Sequence, residues 1–294
     1  RRLAPACATP AVAGQTVSTT NDRVARHRRV LMSLYMADHS ANGDASPRNE
    51  LAAMAHAAGP LLPLDALNSP RNDRPAETNP YLGFDPGLCI LCARCTRYCD
   101  EVEAVSAITL SERGAHTTIA TAGQVSLMDT TCELCGGCVD TCPTGALFEK
   151  KSAGALDGVV QQVRSTCNYC GVGCQLDLNV ADGKVVGVTS PPPGETLNDG
   201  NLCVKGRFAY DFIHHEDRLT VPLIRGKDGQ LHEATWPEAI RTIAAGLTGV
   251  RDRHGADALG FVSSSRCTGE ENYLMQKLAR AAFGTNNCHQ CAAT

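Results

Sequence analysis

The cysteines of this chain are not scattered, because twelve of its sixteen fall into three short sets. In the first two sets, gaps of two, two and three residues separate four cysteines, and the third set begins with a similar spacing. The sets are Cys89, Cys92, Cys95 and Cys99; Cys132, Cys135, Cys138 and Cys142; and Cys167, Cys170, Cys174 and Cys203. Such spacing lets one loop place three thiolates at the corners of a single cube. The sequence therefore predicts three [4Fe–4S] clusters and an electron-transfer function.

Disulfide bonds and zinc are the alternative uses of these cysteines. Disulfide scaffolds contain more than about 8–10% cysteine, and sixteen cysteines in 294 residues fall below that level. Structural zinc sites usually pair two Cys-x2-Cys units across a longer gap, whereas the first two sets each place three cysteines within seven residues. The spacing favours iron–sulfur ligation over both alternatives.

The first two sets also predict an exchange of ligands, since they form an internal repeat with an offset of 43 residues. In two-cluster ferredoxins the fourth cysteine of each run binds the other cluster. We therefore expect Cys142 to complete the first cluster and Cys99 to complete the second. Pro143 follows the last cysteine as that pattern requires, while Asp100 replaces the proline after Cys99.

Composition excludes several classes of partner. The net charge is −4, from 27 basic and 31 acidic residues, and no basic block suggests nucleic acid or a membrane surface. No apolar run reaches the roughly 18 residues that span a bilayer. Arg1 and Arg2 are not followed by the apolar stretch of an export signal. We expect a cytoplasmic chain that begins inside a domain of a longer polypeptide.

Residue patterns predict two helices before the cysteine sets. One runs from Asn21 or Asp22 to about Met36, and the other covers Glu50 to Ala58, ahead of Gly59-Pro60. A polar loop is predicted between them, over 38–49, and a proline-rich linker over 62–80.

The part after the third cluster motif predicts alternating strands and helices. Strands are expected over 184–188 and 258–263, and helices over 236–250 and 269–283. The first of these helices should bury one apolar face, formed by Ala239, Ile240, Ile243 and Leu247. The predicted fold is an α+β ferredoxin-like iron–sulfur module followed by the start of an α/β domain.

The third cysteine set carries a family resemblance. Cys167-Asn-Tyr-Cys170-Gly-Val-Gly-Cys174, with Cys203-Val-Lys205-Gly-Arg further on, resembles the amino-terminal cluster domain of molybdenum or tungsten bis-pterin oxidoreductases. The resemblance implies that Lys205 lies between the cluster and the nearer pterin and relays electrons. The alternative for Lys205 is a solvated surface lysine.

The whole chain resembles the front part of the catalytic α subunit of cytoplasmic formate dehydrogenases, of the NAD-linked or hydrogenase-linked type. This implies oxidation of formate to CO2 at a molybdenum or tungsten bis-molybdopterin guanine dinucleotide. Electrons would pass the three cubanes and a [2Fe–2S] cluster to a flavin subunit that reduces NAD, or to hydrogenase subunits.

The resemblance also assigns residues near the two ends of the chain. Cys7 would be the last ligand of the [2Fe–2S] cluster. Asp38-His39 matches the start of a His-plus-three-Cys site in relatives, but no cysteine lies between Ser40 and Glu50, so His39 is expected to be structural.

At the other end, the stretch from Ser263 to Tyr273 resembles a loop near the pterin, and Gly284 to Asn287 resembles the segment before the metal ligand. The implied cofactor contacts are Arg266, Asn286 and Asn287. Residues not expected to bind metal are Cys267, Cys288 and Cys291. Ala293 replaces an arginine of the family pattern, and the ligand, Cys or selenocysteine, is expected beyond Thr294. We therefore expect the chain alone to be inactive.

These observations divide the chain into five parts. They are the tail of a [2Fe–2S] domain (1–20), a helical segment and linker (21–79), a double [4Fe–4S] domain (80–151), the third cluster domain (158–216) and the start of the bis-pterin-binding domain (217–294). Two alternative functions remain: a non-catalytic large iron–sulfur subunit of an NADH dehydrogenase, and another bis-pterin reductase such as a nitrate reductase.

Overall fold

The computed structural model describes residues 2–39, 49–66 and 77–291. It divides the chain into two compact units, one ending at Gly158 and the other beginning at Val159. Most of the polar loop predicted over 38–49, and the middle of the linker predicted over 62–80, lie outside the described residues.

Both predicted helices of the first unit are confirmed. Helix α1 covers Asp22–Ala37 and helix α2 covers Glu50–Ala57. Asn21 caps α1 by accepting a hydrogen bond from the Val24 amide, and Asn49 caps α2 in the same way. Such caps satisfy N–H groups that the first helical turn leaves without a partner.

Four short strands of the first unit form two antiparallel pairs. Strand β1 (Leu82–Phe84) pairs with β4 (Leu147–Glu149), and β2 (Thr109–Ser111) pairs with β3 (Thr118–Ala120). The short helices α3 (Arg94–Arg97) and α4 (Gly137–Asp140) lie within the two cysteine runs. Buried side chains of this unit include Leu82, Ile108, Ile119, Leu127 and Leu147.

The second unit begins with an antiparallel three-stranded sheet. Its strands are β5 (Gln161–Thr166), β6 (Gln175–Ala181) and β7 (Lys184–Thr189), in that order. The strand predicted at 184–188 is confirmed, and the turn before it uses positive φ at Asp182 (48°) and Gly183 (73°), as a tight hairpin requires. The adjoining core contains Leu176, Val188, Leu202 and Tyr210.

The chain then continues through a small hairpin into an α/β arrangement. The hairpin is β8 (Leu223–Arg225) with β9 (Leu231–Glu233), followed by α6 (Trp236–His254), β10 (Phe261–Ser264), α7 (Gly269–Lys277) and β11 (Cys288–Cys291). Strands β10 and β11 are parallel, so α7 lies in the crossover between them. The core of this part contains Leu259, Phe261, Ala279 and Phe283.

Helix α6 differs from the prediction in length and in its buried face. It extends to His254, where Gly255 ends it with φ of 87°. Ala239 is buried and Leu247 packs on the core, but Ile240 and Ile243 are 59% and 58% exposed. The apolar period is therefore present, although half of the predicted face is not covered.

The strand and helix after α6 also differ in detail. The strand predicted from Ala258 begins at Phe261, because a short 3-10 turn precedes it. The helix predicted to Phe283 is α-helical only to Lys277 and continues as a π-helix from Leu278. Among the described residues, no helix has both the length and the hydropathy needed to cross a membrane.

Candidate iron–sulfur sites

The first cysteine run begins in the loop between β1 and α3 and continues through α3, and a cysteine of the second run lies beside it. Cys89, Cys92 and Cys95 line one cavity, and Cys142 lines the same cavity. Cys89 and Cys95 are buried. The structure therefore places Cys142, rather than Cys99, beside the first three cysteines.

The second run forms the equivalent site. Cys132, Cys135 and Cys138 line one cavity together with Cys99. Cys99 lies in a π-helical turn, Tyr98–Val102, that follows α3. Its Sγ accepts a hydrogen bond of 3.2 Å from the Ala107 amide.

The two loops share one backbone conformation. Leu91 and Leu134, 43 residues apart in sequence, have positive φ of 56° and 54°. In each loop this residue's amide donates to the cysteine two positions earlier, over 3.4 Å to Cys89 Sγ and 3.4 Å to Cys132 Sγ. Hydrogen bonds from backbone amides stabilise a thiolate. The two runs therefore share a hydrogen bond to a ligand sulfur as well as their cysteine spacing.

Burial and, to a smaller extent, the neighbouring Cys89, Cys142 and Cys92 together raise the pKa of the Cys95 thiol to about 12. Burial also raises the pKa of Cys132, with a smaller contribution from Cys99. Several thiolates can share such a pocket only with a cation among them, because the metal charge reverses this preference.

These cavities suit a cluster better than a single metal ion. Within the described parts of the chain, no three His, Cys, Asp or Glu side chains approach closely enough to bind one ion. The corner ligands of a cube are further apart than the ligands of one ion, because iron and sulfide lie between them. Four thiols around a cavity, with backbone amides donating to sulfur, fit the ligand set of a [4Fe–4S] cluster.

The third set surrounds the loop between β5 and β6. Cys167 and Cys174 bracket this loop and are joined by a backbone hydrogen bond of 2.8 Å. Burial raises the pKa of the Cys174 thiol, and the nearby Cys167, Cys170 and Cys203 contribute in the same direction. Cys203 immediately precedes helix α5 (Val204–Phe208).

Two glycines lie close to other groups at this third site, and the approach is tight at Gly171. Gly206 lies in α5, and a Cβ atom there would be 3.6 Å from Cys167 Sγ. A Cβ at Gly171 would lie 3.3 Å from the carbonyl oxygen of Ser265, in the loop between β10 and α7. The third cysteine loop is therefore covered on one side by the loop that contains Arg266.

Tyr169, inside the third cysteine loop, is a residue whose role the sequence did not indicate. Its hydroxyl donates a hydrogen bond to the carbonyl oxygen of Ala209, at the end of α5. Its ring packs edge-on against Phe212, with centroids 6.1 Å apart, and Arg218 lies over the same Phe212 ring. Tyr169 thus joins the loop of three cysteines to the helix that follows the fourth.

Asn79 and Glu77 were also missed, because neither belongs to a motif. The buried Asn79 side chain accepts from the amides of Tyr81 and Leu82 and donates to the Leu82 carbonyl oxygen. Glu77 Oε1 accepts from Ser126 Oγ over 2.7 Å. These bonds fix the start of β1, whose Leu82 lines the second cavity.

The residues predicted to relay electrons or to contact the pterin are exposed, and two of them make side-chain hydrogen bonds within the protein. Lys205 is exposed on α5, two residues after Cys203, and Arg266 is exposed beside the third site. Asn286 Oδ1 accepts from Arg280 Nε over 2.8 Å. The Asn287 side-chain amide donates to the carbonyl oxygens of Asp257 and Leu259. These bonds fix the backbone that leads into β10. Their cofactor roles stay predictions.

The remaining cysteines and His39 lie away from the three sets or at their edge. Cys7 is exposed, Cys267 is half-buried, and Cys288 packs against the core around Phe261. The side chain of Cys291 lies outside the described part of the chain. His39 Nε2 is 2.9 Å from Asn49 Nδ2 and lines a cavity that Cys89 also lines.

Comparison with family profiles assigns three parts of the chain. Residues 160–215 match the molybdopterin oxidoreductase Fe4S4 domain, and residues 218–294 match molybdopterin oxidoreductase. Residues 80–148 match the ferredoxin-like domain of NADH-quinone oxidoreductase subunit 3. The predicted ferredoxin-like module, [4Fe–4S] domain and molybdopterin domain are therefore present.

Several curated proteins are similar to this chain. The alpha subunit of an NADPH-Fe(3+) oxidoreductase of Geobacter sulfurreducens (strain DL-1 / KN400) is 36% identical, over 96% of this chain and 33% of its own length. A Staphylococcus aureus (strain USA300) protein named "Putative formate dehydrogenase" is 29% identical, over 99% of this chain and 34% of its own length. The chain thus spans about a third of the length of these relatives.

Among solved structures, the chain resembles part of an NAD+-reducing [NiFe]-hydrogenase in the H2-reduced state. The TM-score is 0.43 and the sequence identity 29%, over 49% of this chain and 62% of that chain. A structural likeness of this size supports no conclusion about function.

Proposed function

We propose that this chain, which carries iron–sulfur and pterin domains of the molybdopterin oxidoreductases, is the electron-transfer part of a formate dehydrogenase α subunit. The observation that carries the proposal is the presence, in one chain, of three sets of four neighbouring cysteines and a molybdopterin domain. The formate dehydrogenase name of a relative at 29% identity supports the substrate.

The cysteine sets divide the ligands among three clusters. Each proposed set combines three cysteines of one loop with a fourth from elsewhere: Cys89, Cys92, Cys95 and Cys142; Cys132, Cys135, Cys138 and Cys99; Cys167, Cys170, Cys174 and Cys203. When bound, [4Fe–4S] clusters supply one-electron transfer at potentials set by hydrogen bonds and burial. The amides of Leu91 and Leu134 lie at hydrogen-bonding distance from ligand sulfurs. Buried Leu82, Leu127 and Leu147 exclude water around the second cavity.

The second unit would connect the third cluster to the metal–pterin. Lys205, exposed two residues after Cys203, would carry a positive charge near the third cluster and would relay its electrons. We assign Arg266, Asn286 and Asn287 to pterin contacts and Cys7 to a [2Fe–2S] cluster. Molybdenum or tungsten would be held as bis-molybdopterin guanine dinucleotide. A flavin subunit that reduces NAD, or hydrogenase subunits, would exchange the electrons in the cytoplasm.

A second candidate function is favoured by two of the comparisons. Residues 80–148 match a domain of NADH-quinone oxidoreductase subunit 3, and the relative at 36% identity is named for NADPH and ferric iron. Under this alternative the same three clusters would carry electrons from a reduced nicotinamide, and formate would not be a substrate.

Reduction of the clusters by each donor separates the two functions. The full-length protein with its flavin subunit, loaded with cofactors under anaerobic conditions, is mixed with formate or with NADPH and frozen for EPR. The first function predicts that cluster signals appear when formate is the only electron donor. These signals should form more slowly in Lys205→Ala than in the surface control Lys184→Ala. Reduction by NADPH but not by formate would establish the second candidate instead.

A further inference from the structure

Helix α1 presents a basic and apolar surface that the proposed function does not use. Four arginines of the helix are exposed: Arg23, Arg26, Arg28 and Arg29. Asp22 is its only acidic residue. The chain as a whole has a net charge of −4, so this positive charge is local and runs against the average.

Apolar side chains are exposed on the same helix. Leu31 and Leu34 are 52% and 50% exposed, and Tyr35 is exposed beside them. Ser33 is the buried residue of the helix, and its Oγ accepts a hydrogen bond of 2.9 Å from the Leu62 amide. We call Arg26, Arg28, Arg29, Leu31, Leu34 and Tyr35 the α1 surface. Apolar side chains next to arginines are typical of protein interfaces.

The α1 surface ends next to the first cysteine site. Tyr35 and His39, at the end of the helix, line a cavity whose other wall includes Cys89, Ile90 and Leu91. This is the loop of the first cysteine run. A protein bound along α1 would therefore lie close to the first proposed cluster.

Helix α2 joins the same region to both halves of the first site. The Glu50 amide donates a hydrogen bond of 2.7 Å to the carbonyl oxygen of Pro143, the residue after Cys142. The Glu50 carboxylate pairs with Arg94, which lies between Cys92 and Cys95. Since α1 packs on α2, the α1 surface is anchored to the frame of the first site.

We propose that the α1 surface is the docking site of an acidic electron-carrier protein that exchanges electrons with the first cluster. This rests on the proposed electron-transfer function, but not on formate as the substrate. One electron leaves the reduced carrier, which is oxidised, and reduces the cluster of this chain. No bond forms or breaks, and no proton is transferred.

An acidic protein partner is favoured over an anionic membrane by the position of the surface. Electron transfer needs the donor to approach the cluster, and the α1 surface leads to the loop of Cys89. Opposite charges raise the association rate of such carriers by about 10- to 1,000-fold at low ionic strength. A membrane would have to approach a chain whose net charge is −4.

The experiment measures binding of a plant-type ferredoxin to the cluster-loaded chain by biolayer interferometry, at low and high salt. The test variant is Arg26→Glu/Arg28→Glu/Arg29→Glu, and the control is Lys227→Glu/Arg241→Glu/Arg253→Glu, which changes the net charge equally in the second unit. Glutamate forms helices well, so α1 should persist. Circular dichroism and reduction by dithionite check fold and clusters.

We expect the test variant to bind ferredoxin at least about tenfold more weakly at low salt, and the control to bind like the parent chain. Leu31→Ser/Leu34→Ser should weaken binding without changing its salt dependence. Stopped-flow mixing with reduced ferredoxin should show slower electron transfer to the test variant than to the control or the parent chain. Basic cytochrome c should not bind at the α1 surface.

Equal binding by the test variant and the control would overturn the proposal. It would also be overturned if ferredoxin fails to bind the parent chain while phosphatidylserine vesicles bind it and lose binding in the test variant, since α1 would then be a membrane-surface helix. Neither measurement uses formate. A failure of the proposed enzyme function would therefore leave the docking result readable on its own.

Discussion

The ring of Tyr98 lies directly against Gly137, so that a Cβ atom at this glycine would overlap the ring. Tyr98 precedes Cys99, and Gly137 precedes Cys138, which lines the same second cavity as Cys99. The contact therefore holds together two segments that supply ligands to one proposed cluster.

Gly137→Ala should lower the free energy of unfolding of the first unit by about 1–3 kcal/mol, because the ring must move in a packed site. The matched control is Gly246→Ala in helix α6, where a Cβ meets nothing within 4 Å. That change should be neutral or slightly stabilising. Urea unfolding of both variants gives the comparison. Equal stability of Gly137→Ala and the parent chain would show that Tyr98 does not restrain this site.

Glu77 should make stability depend on pH below about 4.5. Burial raises the pKa of its carboxyl, but hydrogen bonds from Ser126, Asn79 and Leu127 lower it more, so the net shift from 4.5 is downward. A carboxyl with a lowered folded-state pKa stabilises the fold above its unfolded pKa and loses this contribution as pH falls through the folded value.

The difference in thermal stability between the parent chain and Glu77→Gln should therefore be constant above pH 6 and shrink as the pH falls below about 4.5. Cluster loss at acid pH affects both chains and cancels in the difference. Glu112→Gln provides an exposed control. A difference that grows with acidification would show that the sign of the Glu77 shift is wrong.

Tyr169→Phe should loosen the third site without removing a ligand. The variant keeps the ring against Phe212 but leaves the Ala209 carbonyl oxygen without the donated hydrogen bond, which costs about 1–3 kcal/mol when buried. We expect a chelator to remove iron from the third site faster in Tyr169→Phe than in the parent chain, as monitored by the decrease of the EPR signal of that cluster. Tyr273→Phe, exposed on α7, should behave like the parent chain. Identical chelation rates for the three proteins would contradict the role of Tyr169.

Cys99→Ser and Cys142→Ser should perturb opposite clusters. Because Cys99 lines the cavity of Cys132, Cys135 and Cys138, Cys99→Ser should alter the EPR signal that Cys135→Ser also alters. Cys142→Ser should instead alter the signal that Cys92→Ser alters, since Cys142 lines the first cavity. If Cys99→Ser and Cys92→Ser change the same signal, each run binds its own cluster and the exchange is absent.

Local patterns predicted those parts of the structure that local chemistry determines. The start of α1 at Asn21 or Asp22, the strand over 184–188 and the cysteine spacing each depend on a few adjacent residues. Helix α6 shows the limit of periodicity, since Ile240 and Ile243 fit the apolar pattern yet are exposed. Burial depends on what packs against a helix, which its own sequence does not encode.

Contacts between distant residues account for the features that were missed. Tyr169 and Ala209 are 40 residues apart in sequence, and Glu77 and Ser126 are 49 apart. Neither pair belongs to a repeat or a spacing rule. The crossing of Cys99 and Cys142 was predicted only because ferredoxins with this spacing follow a general ligand rule.

Iron and sulfide counting with Mössbauer spectroscopy, on the chain reconstituted without oxygen, tests the three-cluster assignment most directly. Three [4Fe–4S] sites predict about twelve iron atoms and about twelve sulfides per chain, all in one cluster type. Cys203→Ser should lower the stable iron content by about four atoms, with the other two clusters unchanged. A stable product with only two to four iron atoms, or zinc retained in place of iron, would contradict three cubanes in this chain.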